Sequence, residues 1–176
     1  MKKHLLPASI FLIAILSSFT AASWYTYSSK KLGYQVSFPS KPEEETKKLA
    51  TEAGKLKMNM VMAVSSGDNM LYLSNATKYP SSVTQYLTDD TIDGFLEKTA
   101  EGSISSIKGE HLYTKDIKYG KHPGKEFRIK TKDTGVITMK IYMVGDTMYM
   151  LQNISKKGKE DNASAKKFFS SFKLLD

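Results

Sequence analysis

The segment at residues 120–126, GKHPGKE, combines the residue types of this chain that are best suited to chemistry. Two glycines and two lysines suggest a phosphate cradle, but the P-loop spacing and the helix that must follow it are missing. Pro123-Gly124 is typical of a turn, and Glu126 is predicted to enter a strand. Arg128 shares a strand face with Glu126, and each is expected to pair with the other or with neighbours. We therefore predict a structural role for the motif residues Gly120, Pro123, Gly124 and Glu126.

The sequence does not indicate a common type of catalytic or metal site. His111 and His122 lie on different predicted elements, no histidine pair has zinc-site spacing, and the chain has no cysteine. The G-x-S-x-G motif that places the serine of many hydrolases is also absent. We assign no catalytic residue, cofactor or metal ligand. A hydrolase or small-ligand binder stays open as an alternative, and it requires a pocket between sheet and helix that contains His122, Glu126 and a serine.

Methionines recur at alternate positions on two predicted strands. Met58, Met60 and Met62 follow this pattern on one strand, and Met148 and Met150 follow it on another. Thioethers suit Cu(I), which makes a methionine-based copper carrier one interpretation. Alternate apolar residues of this kind are also what a core strand contains. We predict core packing, and the copper interpretation requires the methionines to be exposed together.

A sheet must position these residues. Three strands joined by tight turns are predicted at residues 126–132, 136–144 and 148–155, where apolar residues alternate with a period of two. Gly135 and Gly145-Asp146 supply the turns. Further strands are predicted at residues 24–28, 34–38, 55–64, 70–77 and 112–119. The charged residues 43–48 are predicted to form a solvated crossover, followed by a minor strand at residues 49–51.

Two helices are predicted to pack on this sheet. The longer one begins at a cap within Thr88-Asp89-Asp90 and ends near Gly109. Its apolar face is Ile92, Phe95, Leu96, Ala100, Ile104 and Ile107. The shorter one follows a cap at Asp161 or Asn162 and carries an aromatic stripe that includes Phe168 and Phe172.

Residues 1–22 have the three parts of a cleaved signal peptide: a basic start, an apolar run and a small-residue site. We predict cleavage between Ala22 and Ser23. A helix over the apolar run would be about 22 Å long, shorter than the roughly 30 Å of a bilayer core. We therefore expect an exported protein, periplasmic or extracellular, with no stable membrane anchor after cleavage. Residues 23–176 are predicted to form a single domain.

The charge pattern argues against a nucleic-acid-binding protein. Removing Lys2 and Lys3 with the leader leaves 24 basic side chains against 18 acidic ones, a net charge of +6. Arg128 is the only arginine, whereas groove-reading proteins depend on arginine forks. The lysines are scattered, which is typical of a solvated surface or of weak attraction to an anionic partner. We expect a monomer that binds an unknown protein or envelope component.

Four motifs occur in a characteristic order. They are Tyr-Ser…Gly-Tyr-x-Val-x-Phe-Pro-x-x-Pro at 27–42, Gly-x-x-Pro-Gly-x-Glu-Phe at 120–127, Ile-Tyr-x-Val-Gly at 141–145, and Phe-Phe-Ser-Ser-Phe-Lys-Leu at 168–174. This order resembles the PsbP/Mog1-like domain family, in particular its small exported bacterial members. The resemblance implies an α+β fold, an α/β/α sandwich with a central antiparallel β-sheet. Other members are an accessory protein of the photosynthetic oxygen-evolving complex and a Ran-binding nuclear protein. Because fold does not carry function, we expect only a non-enzymatic accessory or protein-binding domain.

Overall fold

Ten strands and three helices make up the residues that the computed structural model describes, 23–51, 54–132 and 135–175. The strands are β1 (Tyr25–Ser29), β2 (Tyr34–Phe38), β3 (Glu43–Thr51), β4 (Gly54–Val64), β5 (Asn69–Lys78), β6 (Glu110–Tyr119), β7 (His122–Lys130), β8 (Gly135–Val144), β9 (Thr147–Lys156) and β10 (Lys173–Leu174). The helices are α1 (Ser81–Thr84), α2 (Ile92–Ile107) and α3 (Ala163–Ser170). The predicted leader, including Ala22, lies outside the described residues. No helix within the described ranges has the length and apolar character needed to cross a membrane.

Seven strands form one antiparallel sheet in the order β3-β4-β5-β9-β8-β7-β6. Strands β6 to β9 follow one another both in sequence and in the sheet, which confirms the predicted meander. Gly145 closes the β8–β9 hairpin with a left-handed backbone (φ 58°), a conformation that glycine adopts without steric cost.

Helix α2 covers one face of this sheet over β7 and β8. Leu96 and Ala100 are fully buried against a core that includes Phe127 and Ile141, as the predicted apolar face requires. The predicted cap within residues 88–90 is wrong, because the N-cap is Thr91. The Thr91 hydroxyl donates to the Tyr86 carbonyl at 2.6 Å and makes no side-chain cap bond to the helix.

The opposite face is covered by the three-stranded sheet β1-β2-β10 together with α3. Phe168 of α3 contacts both Phe38 and Tyr72, with ring centroids 5.5 and 5.3 Å apart. Asn162 is the N-cap of α3, since its side-chain oxygen accepts from the amide of Ala165 at 2.9 Å. This layer contains strands as well as a helix, so the architecture is more sheet-rich than the predicted α/β/α sandwich.

The predicted crossover at residues 43–48 is wrong, because these residues belong to β3. This strand pairs with β4 over nine residue pairs, from Glu43↔Met62 to Thr51↔Gly54. It is an edge strand whose charged side chains are exposed and which has no alternation of apolar residues. Two side-chain hydrogen bonds, from Tyr27 to Glu44 and from Thr46 to Asn59, add to its backbone ladder. Charges of this kind discourage pairing with another chain.

The predicted turn at Pro123-Gly124 is displaced by three residues. The turn lies at Gly120-Lys121, where Gly120 has φ 57°, and Pro123 and Gly124 lie inside β7. The strand tolerates Pro123 because pairing with β8 begins only at Gly124↔Tyr142. Gly124 is required for packing, since a Cβ atom there would clash with the Ile141 carbonyl oxygen and lie 2.7 Å from Cδ1 of Tyr142.

Candidate functional site

Lys125, which precedes the motif residue Glu126, is a buried cation on the α2 face of the sheet. Its side chain is only 5% exposed, and Nζ lies 2.6 Å from Asp116, 2.7 Å from Asp93 and 3.0 Å from Glu97. Asp93 and Glu97 come from α2 and Asp116 from β6. Lys125 therefore fastens the helix to the sheet, and its charge is fully matched.

Glu126 is the corresponding buried anion on the opposite face. Its carboxylate accepts from Lys115 at 2.8 Å, Lys140 at 3.1 Å and the Tyr113 hydroxyl at 2.7 Å. Arg128, two residues further on, donates to Asp161 through both terminal nitrogens at 2.7 and 3.2 Å. The structure thus confirms the prediction that Glu126 and Arg128 each pair with neighbouring side chains.

These contacts shift the pKa of both buried ions in favour of their charged forms. Burial lowers the pKa of Lys125, but hydrogen bonds to Asp116, Asp93 and Glu97 outweigh it and raise the pKa overall. Burial raises the pKa of Glu126, but the bonds from Lys115, Tyr113 and Lys140 together lower it below its ordinary value. Neither group is poised to exchange a proton near neutral pH.

The predicted grouping of His122, Glu126 and a serine does not occur among the described residues. Glu126 lines a shallow cavity of about 220 Å³ that also contains Arg128 and Ser170. The Ser170 hydroxyl donates to the Lys167 carbonyl at 3.2 Å. His122 pairs with Tyr119 beside the β6–β7 turn and does not line this cavity.

A larger cleft of about 590 Å³ lies where the β1–β2 loop meets β4, β5 and the start of β9. Four lysines surround it: Lys31, Lys55, Lys57 and Lys78. Apolar surface lies between them: Leu32, Leu56, Ala76, Tyr79 and Pro80. Asn59 and Thr147 are neutral polar lining residues. We call this surface the lysine cleft.

The lysine cleft has a surplus of positive charge. Lys78 forms an ion pair with Asp146 at 2.9 Å, whereas Lys31, Lys55 and Lys57 form none with residues that the structure describes. The described lining contains no carboxylate, histidine or serine. The arrangement can therefore attract and hold an anion that carries apolar groups.

The lysine cleft cannot be recognised in the sequence because its residues come from four separate segments. Each lysine by itself looks like an ordinary solvated side chain, and no local spacing connects Lys31 with Lys55 or Lys78. The scattered surplus of lysine was the only signal in the sequence.

The predicted core packing of the methionines is correct for one group and wrong for another. Met148, like Met139 and Met143, is buried in the core beneath α2. Met58, Met60 and Met62 are only partly buried, and within the described residues they belong to neither hydrophobic core. The reason is that α2 covers β7 and β8 and does not extend over β4. Val64, at the end of the same strand, is 75% exposed.

Metal ligands of the usual kinds do not converge in the described part of the chain. It contains no group of three or more histidine, aspartate or glutamate side chains placed to hold an ion. His111 instead forms a hydrogen bond with the Thr114 hydroxyl at 2.9 Å.

Comparison with known proteins gives a match in structure alone. No family model and no curated protein matches the chain. The solution structure of cyanobacterial PsbP (CyanoP) from Synechocystis sp. PCC 6803 superposes with a TM-score of 0.55 at 13% sequence identity. The match covers 93% of this chain and 99% of that chain. The chain therefore has a PsbP-like fold, as the motif order predicted, and at this identity the likeness concerns the fold only.

Proposed function

We propose that this protein is an exported, non-enzymatic accessory domain that binds an acidic segment of a partner protein in the lysine cleft. The single observation that carries the proposal is the composition of the cleft. Three lysines without ion partners among the described residues, Lys31, Lys55 and Lys57, surround an apolar surface. Lysines at the edge of a site steer an acidic partner, and apolar residues between them supply the contact that keeps it bound.

The rest of the charge distribution supports binding over catalysis. The charged groups of the motif are matched by side chains of neighbouring elements, since Lys125 and Glu126 are each held by three partners. Because the contacts of Lys125 and Glu126 stabilise their charged forms, these groups are better suited to holding the fold together than to transferring protons. The proposal that the domain is exported rests on the leader pattern of residues 1–22.

A binding measurement tests the proposed function. The probe is a short fluorescein-labelled peptide in which glutamate alternates with leucine, and fluorescence anisotropy is recorded at several salt concentrations. The charge-reversed variant K55E/K57E should bind the peptide at least about tenfold more weakly than the mature chain. K118E/K121E is the matched control, because it changes the net charge equally at the exposed β6–β7 hairpin.

Two results would count against the proposed function. One is equal weakening in both variants, because the attraction would then depend on net charge alone. The other is unchanged binding when leucine in the peptide is replaced by serine, because the apolar surface would then play no part.

A small-ligand binder is the second candidate function. The volume of the lysine cleft, about 590 Å³, lies within the range of ordinary ligand pockets. A small anionic ligand would raise the melting temperature of the mature chain and not that of K55E/K57E. If the peptide binds but small organic anions do not raise the melting temperature, the result favours a protein partner.

A further inference from the structure

One face of the seven-stranded sheet carries most of the methionines. Register places seven of the nine on the face that α2 partly covers: Met58, Met60, Met62, Met139, Met143, Met148 and Met150. Three of them, Met139, Met143 and Met148, fill the core under α2. The other four are partly exposed: Met150 packs against this core, and Met58, Met60 and Met62 lie on β4 outside it. The lysine cleft includes Lys57 and Asn59, which alternate with Met58 and Met60 and therefore point to the opposite face.

Two buried polar side chains lie among the partly exposed methionines, and each has an oxygen without a hydrogen-bond partner among the described residues. Asn75 pairs with Met60 on one side and Met150 on the other, and Thr77 pairs with Met58 and Met148. Asn75 and Thr77 are each 3% exposed. Within the described residues, Oδ1 of Asn75 and the hydroxyl of Thr77 have no hydrogen-bond partner. Buried polar atoms are nearly always paired, so each unpaired one needs an explanation.

The thioethers around Asn75 can approach one another. Its Nδ2 donates weakly to Sδ of Met150 at 3.5 Å, which places that sulfur beside the amide. Neighbouring strands are about 4.8 Å apart, and same-face residues on one strand about 6.8 Å apart. Methionine has three rotatable bonds, so the sulfurs of Met58, Met60 and Met150 can meet above Asn75.

We propose that Met58, Met60 and Met150, with the side-chain oxygen of Asn75 beneath them, form a binding site for a soft monovalent cation, Cu(I). Thioethers select such ions, whereas zinc and Cu(II) prefer the imidazole, thiolate and carboxylate groups that do not cluster in the described residues. Partial exposure of these methionines allows the ion to reach the sulfurs from solvent. Asn75 Oδ1 directs the negative end of its dipole toward the ion, which accounts for its lack of a hydrogen-bond donor. Binding exchanges the ligands of Cu(I) and involves no change of oxidation state.

The test uses the folded mature chain and two ions. Cu(I) is supplied anaerobically in competition with the chelator bicinchoninate, and Ag(I), which has the same preference for thioethers and is stable in air, is titrated by calorimetry. We expect one bound ion per chain. M58L/M60L should weaken its binding at least about tenfold. M139L/M143L is the matched control, since it changes two methionines buried beneath α2, and its affinity should equal that of the unaltered chain. Circular dichroism checks that both variants are folded.

NMR of methionine methyl groups locates the ion. Addition of Ag(I) should shift the signals of Met58, Met60 and Met150 and leave those of Met139 and Met143 in place. The proposal is overturned if the mature chain fails to retain one ion against the chelator, if M58L/M60L binds as tightly as the unaltered chain, or if M139L/M143L loses affinity to the same extent.

Discussion

Lys125 and Glu126 are adjacent residues that carry opposite charges into opposite faces of the same sheet. Their exposures are 4% and 6%, and each is held by three charged or hydroxyl partners. Because side chains alternate along a strand, one dipeptide of β7 is fastened to α2 on one side and to β6 and β8 on the other. Glu126 belongs to the Gly-x-x-Pro-Gly-x-Glu-Phe motif, one of four by which the sequence resembles the PsbP/Mog1-like domain, and Lys125 occupies the unspecified position before it. The packing of Glu126 accounts for its place in this motif.

Replacement of Lys125 tests its role as a fastener. K125A should lower the free energy of unfolding by about 2–3 kcal/mol, because α2 loses its ionic attachment to the sheet. The three carboxylates left behind are 43–78% exposed and can be hydrated, which keeps the loss below that of a stranded buried charge. D116N removes one of three partners and should cost less than about 1 kcal/mol. Urea unfolding measures both values, and equal stability of K125A and the unaltered chain would contradict the assigned role.

Replacement of Glu126 tests the pH dependence of stability. Because its pKa in the folded state is lowered from 4.5, the unfolded state binds a proton more readily than the folded state. Its contribution to stability is therefore complete above pH 4.5 and is lost as the pH falls through the lower folded value. The melting temperature of E126Q should lie below that of the unaltered chain at about pH 7, and the difference should shrink toward about pH 3.

If the melting temperatures of E126Q and the unaltered chain differ by the same amount at every pH, the charge of Glu126 does not contribute to stability.

Asp161 supplies a second acid-sensitive contact, since its hydrogen bonds with Arg128 lower its pKa. D161N should therefore remove a further part of the acid sensitivity that E126Q leaves.

Two glycine replacements should change stability in opposite directions. G124A introduces a Cβ that clashes with the Ile141 carbonyl and the Tyr142 ring, and should destabilise the protein by about 2–3 kcal/mol. G94A, in α2, meets no atom within 4 Å and should stabilise the protein by about 1 kcal/mol because alanine has the higher helix propensity. Thermal unfolding of G124A, G94A and the unaltered chain measures both changes in stability. A harmless G124A would mean that β7 and β8 lie farther apart than the structure shows.

Regular alternation of apolar residues was sufficient to predict most strands of the large sheet. The meander from β7 to β9 follows from its apolar period and from the turn at Gly145-Asp146. A strand at residues 34–38 was also predicted, and it is β2 of the smaller sheet, where Tyr34, Val36 and Phe38 are buried on one face. Residues 43–48 of β3 were predicted as a crossover because their charged side chains carry no such period, whereas residues 49–51 were predicted as a strand. The turn at Gly120-Lys121 was misplaced because Pro123 and Gly124 resemble a turn in sequence but serve a strand whose neighbour approaches closely.

The sequence by itself determined most of the strands, the two longer helices and the resemblance that predicts the fold, because each depends on residues near one another in the chain. Its composition also excludes cysteine chemistry. Only the tertiary structure decided which charges are buried and matched, which lysines share a cleft and which methionines α2 leaves partly exposed. Asp93, Asp116 and Lys125 come together from three elements, and so do Met58, Asn75 and Met150. Periodicity shows which face of a strand a residue occupies, but what covers that face depends on the packing of elements distant in sequence.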